Sequence, residues 1–76
     1  MTPDRSIDAS GLICPLPFLK ARKALRELPA GGCLEVLATD VNAKDDMAGL
    51  CESGGHELVV STEQDGVYRF VIRKRG

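Results

Sequence analysis

Apolar residues recur at helical spacing in the segment from residue 15 to residue 28. Phe18, Ala21, Leu25 and Leu28 are separated by three, four and three residues, so they fall on one stripe of an α-helix. This pattern predicts an amphipathic helix over residues 15–28. A proline and two glycines follow and end the helix, because proline disfavours helical geometry in the residue before it.

A second helix is predicted between residues 40 and 55. Its apolar side carries Met47, Leu50 and Cys51. Asp40 or Asn42 is expected to cap its N-terminus, since both residue types accept hydrogen bonds from backbone N–H groups. Asp40 and Asp46 are interpreted as helix-start residues rather than acid–base groups, because the positive end of the helix dipole favours carboxylates.

Alternation of apolar and polar residues predicts four short β-strands. The predicted strands are residues 6–10, 33–39, 56–64 and 67–74. Asp65-Gly66, between the last two strands, is a strong signal for a tight hairpin turn. In the final strand, Tyr68, Phe70 and Ile72 share one face.

The predicted order of elements is β-α-β-α-β-β. Two amphipathic helices and four half-polar strands favour an α+β fold, a two-layer α/β sandwich in which both helices cover one face of a four-stranded mixed sheet. A chain of 76 residues predicts a single domain over residues 1–76, with residues 1–5 disordered. The pattern leaves the strand order open.

Composition and charge narrow the classes of function. Hydrophobic residues make up 43% and charged residues 28% of the chain, which is typical of a globular protein. Because 10 Lys and Arg oppose 11 Asp and Glu, the protein as a whole has no attraction to nucleic acid or to an anionic membrane. No apolar run approaches the ~20 residues of a membrane span and no signal peptide is visible, so a cytoplasmic location is expected.

The three cysteines form an odd set without paired spacing and are expected to be reduced thiols. Cys33 opens a strand and Cys51 lies on the apolar side of a helix, so both are interpreted as structural. With one histidine and no close cysteine pair, neither a metal site nor a cofactor is expected. His56, which follows two glycines, is interpreted as a turn or hydrogen-bonding residue rather than a catalyst.

Cys14 has a distinctive context at the start of the first predicted helix. Pro15 suits the first helical position, which makes Cys14 the expected N-cap. There, unsatisfied N–H groups and the helix dipole favour a thiolate, the form that attacks sulfur or carries it as a persulfide. Pro17 stiffens the same turn, and Gly11 permits a tight approach that leaves the thiol at the surface. The alternative is that Cys14 is a small buried residue, and the local sequence does not decide between the two.

Residues 11–17, Gly-Leu-Ile-Cys-Pro-Leu-Pro, with Asp8 before them, resemble the Cys-Pro-x-Pro signature of the TusA/SirA-like sulfur-carrier family. The resemblance extends over nearly the whole chain. It includes Arg22-Lys23, Ala38-Thr39-Asp40, Asp46, Gly55-His56-Glu57-Leu58 and Tyr68-Arg69-Phe70-Val71-Ile72-Arg73-Lys74. Position 16 varies in the family and is Leu here, where some members have Glu.

The resemblance implies a sulfurtransferase-type carrier in which Cys14 accepts sulfane sulfur as a persulfide and passes it on. It also implies that Pro15 and Pro17 form a rigid helix start. The implied donor is a cysteine desulfurase or a rhodanese-type protein, and the implied acceptor is a downstream sulfur-relay protein. Members of the family serve transfer-RNA thiolation, molybdenum cofactor work or sulfur oxidation, so the resemblance does not name the pathway.

One face of the first predicted helix is a candidate partner surface. Leu19, Arg22 and Arg26 lie away from the apolar stripe, on a face that meets solvent. An exposed leucine among cations close to Cys14 predicts a docking patch for a protein. The alternative is an ordinary solvated face.

Two other classes of function remain open. A thiol redox protein would require Cys33 or Cys51 to approach Cys14, since the chain has no C-x-x-C motif. An RNA-binding or regulatory module of similar small α/β fold would use a sheet face and the basic C-terminus. One Tyr, two Phe and no Trp leave few platforms for base stacking, so no direct contact with nucleic acid is expected.

Overall fold

The computed structural model describes residues 3–13 and 15–75, which form a four-stranded sheet and two helices. The strands are β1 (Arg5–Ala9), β2 (Cys33–Ala38), β3 (Glu57–Gln64) and β4 (Val67–Arg73). The helices are α1 (Leu16–Glu27) and α2 (Ala43–Gly54). The predicted α+β fold and order of elements are confirmed, and the boundaries agree to within three residues.

The sheet is mixed, with strand order β1-β2-β4-β3. β1 and β2 are parallel, whereas β4 runs antiparallel to both of its neighbours, β2 and β3. Since α1 connects two adjacent parallel strands, it must cross over one face of the sheet. The carboxyl ends of β1 and β2 therefore lie side by side, next to the start of β4.

The core lies between the sheet and the two helices. Leu34 and Val36 of β2 pair with Ile72 and Phe70 of β4, and all four side chains are fully buried. The helices supply the other half of this cluster with Ala21, Ala24, Leu25, Met47, Leu50 and Cys51. Each large apolar side chain removed from water stabilises the fold by about 1.5–3 kcal/mol. Because both helices contribute to one cluster, the predicted packing on a single sheet face is confirmed.

Tight turns form where the sequence predicts them. The hairpin between β3 and β4 places both Asp65 (φ 53°) and Gly66 (φ 81°) in the left-handed region, the geometry of a two-residue hairpin turn that matches strand twist.

Asn42 occupies the N-cap position of α2, although its side chain makes no capping hydrogen bond. The carboxylate of Asp40 instead accepts a hydrogen bond of 3.2 Å from the backbone N–H of Asn42.

The N-terminal segment differs from the expectation that residues 1–5 are disordered. The backbone N–H of Asp4 donates to the carbonyl of Cys33 at 2.9 Å, and the carboxylate of Asp4 accepts from the Cys33 N–H at 2.8 Å. Arg5 begins β1 and forms an ion pair with Glu27 at the end of α1. The residues in each of these contacts are distant in sequence, so no local sequence pattern predicts the contacts. Met1 and Thr2 lie outside the described residues.

Cys33 and Cys51 are buried free thiols, with 9% and 5% of their surface exposed. Cys51 belongs to the core cluster, and burial raises the pKa of its thiol. A buried thiol with a raised pKa behaves as a small hydrophobic group rather than a nucleophile. The interpretation of both residues as buried thiols is confirmed.

Replacing Cys51 should therefore change stability. Cys51→Ala is expected to lower the free energy of unfolding by about 1 kcal/mol, because it removes one buried atom and leaves a small cavity. Cys51→Ser should cost more, since its hydroxyl would be buried among apolar groups. Denaturant unfolding measures both values. Equal stability of all three proteins would contradict the packing role.

The sheet face away from the helices carries an ion-pair network centred on Glu35. One carboxylate oxygen accepts from Arg69 Nε at 2.6 Å and the other from the Ser6 hydroxyl at 2.8 Å. The network links β1, β2 and β4. The hydrogen bond from Arg69, followed by that from Ser6, holds the pKa of Glu35 below its usual value.

Glu35→Gln is expected to destabilise the protein at neutral pH and to lose that effect in acid. Because folding lowers the pKa of Glu35, the ionised network contributes stability above the pKa of an unfolded glutamate, about 4.3. That contribution disappears as the pH falls through the lower folded-state pKa. Thermal unfolding at stepwise lower pH measures the difference, with Glu63→Gln on the exposed end of β3 as control. A difference that does not change with pH would contradict the role assigned to Glu35.

Candidate functional site

Two loops meet at the carboxyl ends of the parallel strands. Ala9 at the end of β1 pairs with Ala38 at the end of β2, and the loops to α1 and α2 start from these residues. The backbone N–H of Gly11 donates to the Thr39 hydroxyl at 2.8 Å, which ties one loop to the other. This edge is where α/β proteins commonly place functional loops. Thr39 belongs to the Ala38-Thr39-Asp40 segment of the family resemblance, but its hydrogen bond to Gly11 was not predicted.

Gly11 makes the tight turn that the sequence predicts. Its φ is +80°, a left-handed conformation that is strained for residues with a side chain. A Cβ at this position would meet no atom within 4 Å, so the requirement is conformational rather than steric. The turn is closed by the Leu12 N–H, which donates to the carbonyl of Ala9 at 3.2 Å. The chain thereby leaves β1 sharply toward the start of α1.

Asp8 stabilises the same turn. Its carboxylate accepts a hydrogen bond of 2.9 Å from the Ser10 N–H. Hydrogen bonds from the Ser10 hydroxyl and then from its backbone hold the pKa of Asp8 below the usual value. Asp8 is therefore an ionised turn residue at neutral pH.

The start of α1 corrects one prediction. Pro15, not Cys14, is the N-cap residue (φ −99°, ψ 15°), Leu16 is the first helical residue, and Pro17 is the second. A turn in which the Leu16 N–H donates to the carbonyl of Ile13 at 2.9 Å moves the helix start one residue along the chain. Cys14 itself lies outside the described residues. Pro17 is buried, which anchors this first turn against the core.

The corrected helix start changes the electrostatic argument. Pro15 and Pro17 have no N–H, and the N–H of Leu16 is already bonded to Ile13. None of residues 15–17 therefore offers a free backbone donor to an anion. The helix dipole remains, and the first turn contains no acidic residue. For an anion beside this helix end, the dipole is worth about 0.3–1 kcal/mol.

Exposed apolar side chains surround this edge of the sheet. Ile13 and Val41 are 71% and 73% exposed, one in each of the two joined loops. Leu16 at the helix start and Val67 at the start of β4 are also exposed. Apolar groups that gather on one exposed surface mark protein contact sites. Ile13 and Val41 were not predicted as surface contact residues, and the available signal was an apolar residue inside a predicted loop.

The predicted cationic face of α1 is solvent-exposed. Leu19 is 46% exposed, and Arg22 and Arg26 are exposed on the following turns. Among the described residues, neither arginine forms an ion pair. The structure therefore brings Leu19, Arg22 and Arg26 together on one surface that begins one turn from the helix start.

Neither buried thiol lies near this edge of the sheet. Cys33 begins β2, and the strand must run about 16 Å to reach Ala38 at the carboxyl end. A disulfide requires Cα atoms within about 7 Å. Ile13 and Pro15 lie at the far end of the strand from Cys33, and Cys51 points into the core. The arrangement gives no support to a thiol–disulfide enzyme.

The aromatic residues are not arranged for binding RNA. Tyr68 and Phe70 are stacked on one another with ring centroids 6.2 Å apart, on the side of β4 that faces the helices. Phe18 is on α1 and packs against the same core. The uncovered sheet face thus presents no aromatic side chain from the described residues, and base stacking lacks a platform.

Three further features of the described residues bear on function. No group of three or more His, Cys, Asp or Glu side chains within residues 3–13 and 15–75 is placed to hold a metal ion. Neither α1 nor α2 has the length and apolarity to cross a membrane. His56 accepts a hydrogen bond of 3.0 Å at Nδ1 from the Arg75 N–H, which confirms it as a hydrogen-bonding residue.

The family model and the relatives that match this chain agree on one family. The family model for sulfurtransferase TusA matches residues 5–74. The sulfur carrier protein TusA of Pseudomonas syringae pv. syringae is 41% identical over 75 residues, covering 99% of this chain and 89% of the relative. The sulfur carrier protein TusA of Pseudomonas entomophila is 44% identical over 72 residues, covering 95% and 90%.

A solved structure gives the same result for the fold. The crystal structure of a SirA-like protein from Desulfitobacterium hafniense superposes with a TM-score of 0.84 at 34% sequence identity, covering 95% of this chain and 99% of the other. Members of the TusA family relay sulfur with partner proteins. Sequence, family model and fold agree over nearly the full length, and the chain therefore belongs to the sulfurtransferase TusA family.

Proposed function

We propose that this protein holds sulfane sulfur as a persulfide on Cys14 and passes it to a partner protein. The observation that carries the proposal is the family match over residues 5–74, a range that includes Cys14. Cys33 and Cys51 are buried, so Cys14 is the cysteine left to react with another macromolecule. The proposal includes a cytoplasmic location, where free thiols persist.

The chemistry requires no oxidant or cofactor. The Cys14 thiolate attacks the outer sulfur of a donor persulfide, the sulfur–sulfur bond of the donor breaks, and the donor leaves as a thiolate. Cys14 then carries the persulfide. In the second step an acceptor thiolate attacks that outer sulfur and releases Cys14 as a thiolate, so each transfer is balanced and reversible.

The residues around Cys14 have separate supporting roles in this proposal. Gly11 turns the chain sharply after β1, and Pro15 and Pro17 restrict the backbone at the start of α1. A fixed backbone holds the reacting sulfur in line with the donor sulfur–sulfur bond. The donor is a cysteine desulfurase or a rhodanese-type protein, and the acceptor is a downstream sulfur-relay protein.

The partner surface is formed by Leu19, Arg22 and Arg26 together with the exposed apolar residues at the same edge. Exposed leucine and unpaired arginines favour an acidic protein surface with apolar contacts. The chain has a net charge of −1, so this attraction is local rather than general. This local attraction selects a partner protein and orients the partner toward Cys14.

Cys14→Ser is expected to abolish sulfur loading and leave the fold intact. A hydroxyl replaces the thiol with little change in size but forms no persulfide. The test is intact-mass measurement after incubation with a cysteine desulfurase and cysteine. Wild type should gain one sulfur atom, and so should Cys33→Ala as a control for nonspecific loading. Equal loading of wild type and Cys14→Ser would contradict the assignment of Cys14 as the residue that carries sulfur.

Reversing both charges in Arg22→Glu with Arg26→Glu should slow loading from the desulfurase at least about tenfold, because rim charges govern encounter rates. Added salt should also slow the wild type. The control is Lys20→Glu with Lys23→Glu, an equal charge change on the side of α1 that faces β1. Alkylation of Cys14 across pH separates docking from a change in thiol reactivity. Loading that is insensitive to both the double reversal and salt would mean that α1 is an ordinary solvated face.

A further inference from the structure

The side chain of Asp46 has a buried oxygen without a partner. Asp46 lies in the first turn of α2. Among the buried side-chain nitrogen and oxygen atoms of the described residues, its Oδ2 is the one that makes no hydrogen bond. A buried acceptor without a donor costs free energy, because it has lost its contact with water and gained none in return. Such atoms are rare in folded proteins, and each requires an explanation, for example a role in catalysis.

Helical geometry places Asp46 on the side of α2 that faces α1. A cleft of about 570 Å³ lies between the two helices, and Leu50 and Ser53 line it from α2. Asp46 precedes these two residues by four and seven positions, so it lies on the same side of the helix, nearer to its start. Its neighbour Asp45 lies on another side of α2 and is exposed.

The first turns of the two helices lie side by side. β1, β2 and β3 all run in one direction, since β1 is parallel to β2 and β4 is antiparallel to both β2 and β3. α1 connects β1 to β2, and α2 connects β2 to β3. Both helices therefore start at the same edge of the sheet and run the same way. Asp46 thus lies beside the first turn of α1, where Cys14 immediately precedes Pro15 in the chain.

The charge of Asp46 is not neutralised by an ion pair within the described residues. Arg22 and Arg26 are about two and three turns from the start of α1. Asp8 and Asp40 each accept a hydrogen bond within their own loop. On α2 itself, Lys44 turns to the far side, toward β3. The charged residues of the elements around Asp46 are Arg22 and Arg26 of α1, Asp8 and Asp40 of the loops, and Lys44 and Asp45 of α2.

We propose that Asp46 is a catalytic residue for the release of sulfur: when Cys14 carries a persulfide, Oδ2 accepts a hydrogen bond from the outer S–H group. The inference rests on the proposed function of Cys14 and adds a second residue to it. A persulfide places one atom about 2 Å beyond the thiol sulfur. The acceptor that has no partner in the sulfur-free protein gains one in the loaded protein.

Protonation of the outer sulfur determines how readily it is transferred. In the release step an acceptor thiolate attacks the outer sulfur, the sulfur–sulfur bond breaks, and Cys14 leaves as a thiolate while the hydrogen stays on the transferred sulfur. An outer sulfur that has lost its proton is negatively charged and repels the incoming thiolate. The carboxylate of Asp46 disfavours this loss, because a second negative charge beside it is unfavourable. Asp46 thereby keeps the persulfide in the form that can be attacked.

Asp46→Asn removes the charge and keeps the shape of the side chain. Asp45→Asn is the matched control, with the same change of charge at the next residue. Each protein is loaded with inorganic polysulfide, and its intact mass verifies one added sulfur atom. The sulfur is then released to cyanide, which needs no docking surface: cyanide attacks the outer sulfur, thiocyanate forms, Cys14 leaves as a thiolate, and the proton goes to solvent.

Thiocyanate formation from loaded Asp46→Asn at pH 7 should be slower than from wild type by at least about threefold. Asp45→Asn should release sulfur at the wild-type rate. Equal rates in all three proteins would overturn the proposal.

The pH profile of release distinguishes this role from a structural one. Release should slow as the pH rises and the persulfide loses its proton. Without the charge of Asp46 the proton is lost more readily, so the decline should occur about one pH unit lower in Asp46→Asn. The ionisation of cyanide is the same in every sample and cancels in the ratio of variant to wild type. A slower rate with an unchanged pH profile would mean that the substitution only disturbs the fold, and would overturn the proposal.

Asp46→Glu tests the charge by restoring it on a longer side chain. This variant should keep the decline of release at the wild-type pH, and a profile like that of Asp46→Asn would contradict the role of the charge. Loading separates this inference from the proposed function. If Cys14 gains no sulfur from polysulfide or from a cysteine desulfurase, the proposed function fails. If Cys14 gains sulfur and Asp46→Asn releases it with the wild-type rate and pH profile, only the role of Asp46 fails.

Discussion

The parallel pairing of β1 with β2 is the constraint on which the rest of the structure depends. Parallel neighbours require a crossover, and α1 supplies it while covering the sheet. The same pairing puts the loop after Ala9 beside the loop after Ala38, where Gly11 bonds to Thr39. Had the two strands been antiparallel, a short hairpin would have joined them and no helix would start at this edge. The position of the candidate site is therefore a consequence of strand direction.

The two layers of the protein use charge in opposite ways. On the open sheet face, Arg69 neutralises Glu35 and the Ser6 hydroxyl donates a hydrogen bond to it, which ties three strands together. On the helix layer, Arg22 and Arg26 have no ion pair among the described residues. An ion pair satisfied within the fold stabilises it, whereas an unpaired exposed cation contributes mainly to association. The distribution stabilises the sheet face and leaves the proposed partner recognition to the helix layer.

The sequence predicted what depends on local pattern and missed what depends on distant contacts. Helical and strand periodicity located every element, because the stripe of Ala21, Leu25 and Leu28 and the alternation around Phe70 are properties of short windows. The tie between Asp4 and Cys33 joins remote residues and has no local signature. The N-cap shifted to Pro15 because a single turn, from Ile13 to Leu16, closed before the helix. The cleft between the helices required the relative placement of Phe18, Leu50 and His56, which only the folded chain defines.

The paired prolines at the start of α1 are consistent with the proposed role of Cys14, which requires a thiol that both accepts and releases sulfur. Free N–H groups at the first turn would stabilise a thiolate strongly and lower its pKa. A thiolate of very low pKa is a weaker nucleophile, since attack on sulfur slows as basicity falls. Pro15 and Pro17 remove two such donors and the bond to Ile13 occupies a third, so the remaining stabilisation comes from the helix dipole. On the proposed role of Cys14, this helix start favours the thiolate moderately, retains its nucleophilicity and leaves the choice of partner to the surface of α1.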